Sequence, residues 1–145
     1  MKQIYQLCVS PKKNFFSFVL IENKKEYIEI FSVKNLKEYY FKFRISEVQF
    51  IQFLNEKIIF IQTLNNIIIY DIKEKKEIKF DNIVDKIKEV IFFDFTKIIY
   101  INNIDLNKFY IYKYCFENKK KEKIIEINLI NKKVEYFKIN KLKKI

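Results

Sequence analysis

The segment Ile69-Tyr70-Asp71-Ile72 decides the fold, because two other parts of the chain repeat its pattern. Each copy continues through a polar turn into a further strand in which apolar and polar residues alternate. Asp71 lies 39 residues after its first counterpart, Ser32, and 57 residues before its second, Asn128. The chain is therefore read as three related units with a basic period near 40 residues.

A period near 40 residues with several strands in each unit is typical of propeller blades. We expect an all-β fold of three four-stranded antiparallel propeller-like blades, at about residues 3–44, 45–84 and 85–140. The longer second step indicates an insertion at about 104–122, which we expect to form a hairpin and to be the main docking element. Three blades are too few to close a ring, so the array is expected to be open or completed by a partner.

The predicted turns contain asparagine instead of glycine, which is absent from the sequence. Asparagine tolerates the left-handed backbone region better than other residues with a side chain. We therefore expect positive φ angles among the turn asparagines. These are Asn23, Asn55, Asn65, Asn66, Asn102, Asn103 and Asn131.

The chain is strongly basic, with a formal net charge of +11. Such a charge suits nucleic acid, an acidic protein or an anionic membrane. Arg44 is the only arginine, however, and lysine lacks the planar fork that recognises phosphate with two hydrogen bonds. The abundance of Lys, Asn, Ile, Phe and Tyr is also expected from an AT-rich genome, so composition and selection both stay open as explanations of the charge.

Two segments resemble the repeats of WD40 proteins. Ser10-Pro11-Lys12-Lys13 looks like the turn between the first two strands of a WD40 blade. Tyr70-Asp71, at the end of a third strand, stands where the family has Trp-Asp. The resemblance covers most of the chain and implies a propeller that binds partners. The Gly-His pair of the family and all tryptophans are absent.

The spacing of strands and loops over residues 15–140 is also similar to that of phosphoinositide-binding propellers of the autophagy type. Their ligand motif is a Phe-Arg-Arg-Gly run, and nothing in this sequence matches it. A membrane phosphoinositide is therefore retained only as an alternative partner, and lipid binding is not carried over.

The residue types that most enzymes need are missing. There is no histidine for acid–base catalysis and no glycine for a phosphate-binding loop. Asp71, Asp94 and Asp105 are expected to make hydrogen bonds in turns or at strand ends. The two cysteines, Cys8 and Cys115, are expected to be small buried apolar side chains. The sequence predicts no enzyme, no cofactor and no metal site.

Two features could bind a partner. The first is a set of lysines that could contact phosphates or acidic side chains, whereas the alternative is a solvated loop and chain end. These lysines are Lys119, Lys120, Lys121, Lys123, Lys141, Lys143 and Lys144. The second is the alternating run Tyr110, Tyr112 and Tyr114, which could stack on single-stranded bases or form the core-facing side of a strand.

We interpret the sequence as a non-catalytic propeller-type scaffold that presents loops and strand edges to protein partners. A protein partner or second propeller segment is the expected partner, and self-association is an alternative. An RNA-associated protein, for example an organellar ribosomal component, is a further alternative. Without a signal peptide or a disulfide framework, we expect an intracellular location, cytoplasmic or organellar, and no secretion.

Overall fold

The computed structural model describes residues 2–36, 40–83, 85–105, 107–129 and 133–136. These residues form thirteen strands and no helix. The strands are rich in isoleucine, phenylalanine and tyrosine, whose branched or flat side chains suit a pleated, half-buried surface. The predicted all-β class is therefore confirmed.

The strands form three antiparallel sheets, each built from strands that follow one another along the chain. The first sheet contains β1 (Lys2–Val9), β2 (Phe15–Glu22), β3 (Lys25–Ser32) and β4 (Tyr40–Arg44). The second contains β5 (Val48–Phe53), β6 (Ile58–Thr63), β7 (Ile67–Asp71) and β8 (Lys76–Asp81). The third contains β9 (Ile87–Phe93), β10 (Lys97–Asp105), β11 (Lys108–Cys115), β12 (Lys120–Asn128) and β13 (Lys133–Tyr136).

The third sheet has one strand more than the four expected, because residues 104–122 lie within it. They supply the end of β10, all of β11 and the start of β12. Strand β11 pairs with β10 on one side and with β12 on the other. An alternating segment can satisfy its backbone polar groups in this way, which accounts for its place inside the sheet.

The repeated sequence pattern coincides with the ends of strands. Ser32 ends β3, Asp71 ends β7 and Asn128 ends β12. The chain divides into two compact units, of which the first holds the first two sheets and the second holds the third sheet.

The core of the first unit lies between its two sheets. Val19, Ile28 and Ile30 of the first sheet pack with residues of the second sheet that include Ile59 and Ile61. Four of these five side chains are isoleucine, and all five are fully buried. This mutual burial stabilises the two sheets as one body, since each buried aliphatic side chain contributes about 1.5–3 kcal/mol.

The second unit has a separate aliphatic cluster within its described residues. Ile99, Ile111, Ile124 and Ile125 form its buried part, and Phe92 packs against them at partial exposure. The members come from β9, β10, β11 and β12, so the additional strand β11 contributes to the core of this unit.

The turns reach the left-handed region mainly through lysine, which corrects the expectation for asparagine. Asn23 has φ 52°, as predicted, but Asn55, Asn65 and Asn66 do not have positive φ. Asn102 and Asn103 lie within β10 and not in a turn. Asn55 instead accepts hydrogen bonds from two backbone N–H groups through its side-chain oxygen. The predicted Asn131 lies outside the described residues. The residues with positive φ other than Asn23 are Gln6, Lys13, Lys24, Glu47, Lys75 and Lys119.

Candidate functional site

The first sheet has one face in the core and one face that points away from the second sheet. Residues directly opposite each other on paired strands share a face. Tyr5, Val19 and Ile28 follow one another across the core face. We call the opposite side the distal face. Its side chains are Ile4, Val9, Phe16, Phe18, Leu20, Tyr27, Glu29, Phe31, Lys42 and Arg44.

The β1 edge of this face is apolar and open to solvent. Ile4 is 59% exposed and Val9 is 50% exposed. Leu7 lies in a register irregularity between Tyr5 and Cys8, and it is 67% exposed. Single exposed aliphatic side chains are ordinary, but three on one eight-residue strand form a patch. A patch of this kind marks a candidate contact surface.

Three phenylalanine rings continue the patch across β2 and β3. The ring centroids of Phe16 and Phe31 are 5.2 Å apart, and those of Phe18 and Phe31 are 5.7 Å apart. The rings lie nearly parallel, with interplanar angles of 15° and 20°, and all three are half-buried. The distal face therefore presents a stacked aromatic group, the aromatic centre, beside the exposed aliphatic strand.

A charged group lies beyond this aromatic centre. Lys42 Nζ is 3.6 Å from Glu29 and 3.7 Å from Glu22, and it lies 4.4 Å from the ring centroid of Tyr27. Glu29 is 8% exposed, so its negative charge needs this partner. No described carboxylate lies within ion-pair distance of Arg44, which is exposed at the end of β4.

Hydrogen bonds hold β1 in place against the second sheet. The Tyr5 hydroxyl donates to Glu26 Oε1 at 2.8 Å, and the backbone N–H of Val48 donates to Glu26 Oε2 at 3.0 Å. Burial, and then the hydrogen bond to Glu26, raise the pKa of Tyr5 well above its ordinary value. At the other end of β1, the Ser10 hydroxyl donates to Glu56 at 2.8 Å. The exposed strand is therefore a fixed part of the scaffold.

Neither cysteine forms a disulfide, and each is half-buried. Burial raises the pKa of the Cys8 thiol to about 12, although hydrogen bonds with the backbone of Phe53 and Ser17 act in the opposite direction. Cys8 packs against the core of the first unit as a small, half-buried side chain.

The predicted lysine run lies at the turn between β11 and β12 and at the start of β12. Lys119 and Lys120 are exposed there. Lys121 Nζ is 3.0 Å from Asp85 and 4.5 Å from the ring centroid of Tyr112, while Lys123 Nζ lies 4.2 Å from the ring centroid of Tyr110. The remaining predicted lysines, Lys141, Lys143 and Lys144, lie outside the described residues.

The tyrosines of β11 are not a free stacking platform. Tyr114 is 6% exposed, and Tyr110 and Tyr112 are half-buried with their rings at 87° to each other. Lysine ammonium groups already lie over the last two rings. These observations favour the interpretation of Tyr110, Tyr112 and Tyr114 as packed strand residues.

A buried tyrosine, an aspartate and a lysine form a network that the sequence did not reveal. Tyr100 is fully buried, and its hydroxyl donates to Asp85 Oδ2 at 2.5 Å. Burial, and then this hydrogen bond, raise the pKa of Tyr100 far above its ordinary value. Lys121 Nζ completes the network on the same carboxylate at 3.0 Å. The network joins β10 and β12 to the segment before β9 and performs a structural role.

Two of the three predicted aspartates make the expected turn hydrogen bonds. Asp71 Oδ1 accepts from the backbone N–H of Lys73 and Glu74 at 2.9 and 3.0 Å. Asp94 Oδ1 accepts from the backbone N–H of Thr96 at 2.7 Å. The side chain of Asp105 lies outside the described residues. Within the described ranges, no group of three His, Cys, Asp or Glu could hold a metal ion.

No helix of the described residues is long and apolar enough to cross a membrane.

Comparison with known proteins supports a propeller-like fold. No family model matches the sequence, and no curated protein matches it. One similar structure is that of Hsv2 from Kluyveromyces lactis, a propeller protein, in a form in which a Gly-Ser linker replaces loop 6CD. The TM-score is 0.63 at 14% sequence identity, over 96% of this chain and 50% of that chain. The same protein with a complete loop 6CD matches with a TM-score of 0.60 at 14% identity, over 90% of this chain and 43% of that chain.

An enzyme is also among the matching structures. An acylaminoacyl peptidase, in complex with Z-Gly-Gly-Phe-chloromethyl ketone, matches with a TM-score of 0.57 at 12% identity. The match covers 86% of this chain and 25% of the peptidase. Identities this low show the fold alone. The chain spans half or less of the length of each of these proteins.

Proposed function

We propose that the chain is a non-catalytic propeller segment that acts as an interaction scaffold for a protein partner. The partner binds on the distal face of the first sheet, beside the exposed strand β1. The absence of histidine from the sequence supports a binding role. Asp71, Asp85 and Asp94 accept hydrogen bonds from other groups of the chain, which also supports a binding role over a catalytic one.

The observation that carries the proposal is the exposure of Ile4, Leu7 and Val9 on a strand that is fixed to the scaffold. Aliphatic side chains gain about 25 cal/mol for each Å² removed from water, so a partner that covers this strand is stabilised by its burial. Because β1 is already ordered, binding does not incur the entropic cost of folding a loop.

A photo-crosslinking amino acid at Leu7 tests the proposal in the source cells. We expect a covalent adduct with one discrete protein, because this side chain lies at the centre of the exposed strand. The matched control places the same amino acid at Leu64, which is 52% exposed but lies in the turn between β6 and β7. No adduct at Leu7, or the same adducts at both positions, would overturn the proposal.

The second candidate function is RNA binding by the lysines at the start of β12. The exposure of Lys119 and Lys120 at one turn is the observation that favours it. Phosphate contacts would make binding weaken steeply as the salt concentration rises.

The test compares the pair Lys119→Glu and Lys120→Glu with the charge-matched pair Lys12→Glu and Lys13→Glu. A filter-binding assay measures retention of single-stranded RNA. Loss of retention in the first pair alone would establish this function. Salt-independent retention, or equal retention by both pairs, would exclude it.

A further inference from the structure

We infer that the partner of the distal face is an acidic protein that presents a β-sheet with an apolar centre and carboxylates at its rim. This inference rests on the proposed function and adds the chemistry of the partner.

The shape of the distal face suits a sheet. The rings of Phe16, Phe18 and Phe31 stack on one another at interplanar angles of 15° to 28° and form one continuous aromatic group. The aliphatic strand β1 continues this surface at one edge. Two sheets pack at about 10 Å through interdigitating side chains, and this geometry buries a group of aromatic side chains together with an adjoining aliphatic strand.

The first sheet and its flanking turns carry an excess of positive charge, which favours acidic groups on the partner. The described residues 2–36 and 40–47 contain eight basic and four acidic side chains. Three of the four carboxylates, those of Glu22, Glu26 and Glu29, already bind lysines, the Tyr5 hydroxyl or a backbone N–H. Six exposed cations have no described carboxylate within ion-pair distance. They are Lys12, Lys13, Lys24, Lys25, Lys34 and Arg44.

A cavity at the turn between β2 and β3 borders Arg44, which lies opposite Tyr27 on the distal face. Its volume is about 290 Å³, and three cations contribute to its lining, namely Lys24, Lys25 and Arg44. The remaining lining residues are Ile21, Glu26, Ser46 and Glu47. Arg44 provides a planar fork that binds a carboxylate with two hydrogen bonds.

The same charge disfavours a second copy of this chain as the partner. Each copy carries a net charge of +11, and an interface between two basic rims would bring like charges together. An acidic partner is instead attracted from a distance, and its association slows as salt screens the charges.

Two synthetic β-hairpin peptides test the inference. Both have the same valine-rich apolar face, and one carries glutamates at its rim where the other carries lysines. Fluorescence anisotropy measures their binding to the purified chain. We expect the acidic hairpin to bind at least tenfold more tightly, and we expect that advantage to shrink between about 50 mM and about 300 mM salt.

Matched variants locate the binding. Leu7→Ser should weaken the acidic hairpin about tenfold, whereas Leu64→Ser should leave its affinity unchanged. Arg44→Gln should weaken it several-fold, and Lys120→Gln should not. Leu7 and Leu64 are both largely exposed, so their variants should melt within a few degrees of the unsubstituted chain, which circular dichroism checks.

Several outcomes would overturn the inference while leaving the proposed function standing. Equal affinity for the two hairpins, no saturable binding at about 1 mM peptide, or insensitivity to Leu7→Ser would each do so. Leu7-dependent binding to phosphatidylserine vesicles would identify a membrane surface instead, and a dimer of the chain alone would identify a second copy. The proposed function fails separately, through the absence of a protein adduct at Leu7.

Discussion

Tyr100 has a buried hydroxyl group whose hydrogen bond stabilises the second unit. Its hydroxyl is buried and donates to a carboxylate, which is the kind of hydrogen bond that contributes about 1.5–3 kcal/mol. We expect Tyr100→Phe to lower the free energy of unfolding by about 2 kcal/mol in urea titrations. The control is Tyr112→Phe in the neighbouring strand, which should change it by less than about 0.5 kcal/mol. Equal effects of the two substitutions would refute the structural role of the network.

Lys24 is a residue whose backbone conformation is unfavourable for its side chain. Asn23 and Lys24 form a two-residue hairpin turn with φ angles of 52° and 63°. Asn-Gly is the preferred pair for such a turn, and the left-handed region costs a residue with a Cβ atom about 1–2 kcal/mol. We expect Lys24→Gly to raise the melting temperature and to stabilise the fold by about 1 kcal/mol.

The control for this substitution is Lys73→Gly, since Lys73 lies in the turn between β7 and β8 but does not itself have positive φ. There the added backbone entropy of glycine should lower the melting temperature. A decrease with both substitutions would contradict the left-handed conformation at Lys24.

Asp71 makes the stability of the first unit depend on pH. Burial acts to raise the pKa of this carboxyl, but the backbone N–H groups of Glu74 and Lys73 and the charge of Lys57 outweigh it, so the pKa is lowered. A lowered folded-state pKa contributes stability above the ordinary carboxyl range, and that stability is lost as pH falls through the folded-state value.

The Asp71→Asn variant should therefore unfold more easily than the unsubstituted chain at pH 7, and the difference should shrink between about pH 4 and about pH 2. Urea titrations at several pH values provide the measurement. Glu117→Gln is the control, because the structure shows this glutamate exposed and without an ion pair among the described residues. A difference that stays constant with pH would count against the role given to Asp71.

At the scale of elements, β6 and β1 differ most clearly in their burial. Every residue of β6 is buried, whereas β1 is mostly exposed. We expect Ile59→Ala in β6 to cost about 3 kcal/mol, because it leaves a cavity in a packed core. Ile4→Ala in β1 should cost less than about 1 kcal/mol. Similar losses in urea titrations would mean that the distal face is covered within the chain itself.

The sequence was sufficient to predict the strands and insufficient to predict the surface. Period-two alternation located segments such as Ile67–Asp71, because that period belongs to strands. Alternation does not show which side of a sheet meets a neighbour, and the irregularity around Gln6 and Leu7 interrupts it in β1. In the network, Asp85 binds Tyr100, which lies 15 positions later, and Lys121, which lies 36 positions later. No local sequence pattern predicts contacts over such separations.

At the scale of the whole molecule, we propose that the chain is a scaffold with an apolar face that a partner covers. The chain spans half the length of the Hsv2 chain with the replaced loop. A propeller segment of this size leaves sheet faces that a further blade would otherwise cover. The distal face, which we propose as the contact surface for the partner, is a sheet face of this kind.

The most direct test of this account is the molecular mass of the chain in solution, measured by sedimentation alone and after purification from its source. We expect 18.0 kDa for the chain alone and a larger mass, including a protein partner, from the source. The double variant Leu7→Lys and Val9→Lys should return the source material to 18.0 kDa, because it places charges in the contact surface. A source mass of 18.0 kDa for the unsubstituted chain, or a larger mass that the double variant leaves unchanged, would contradict the account.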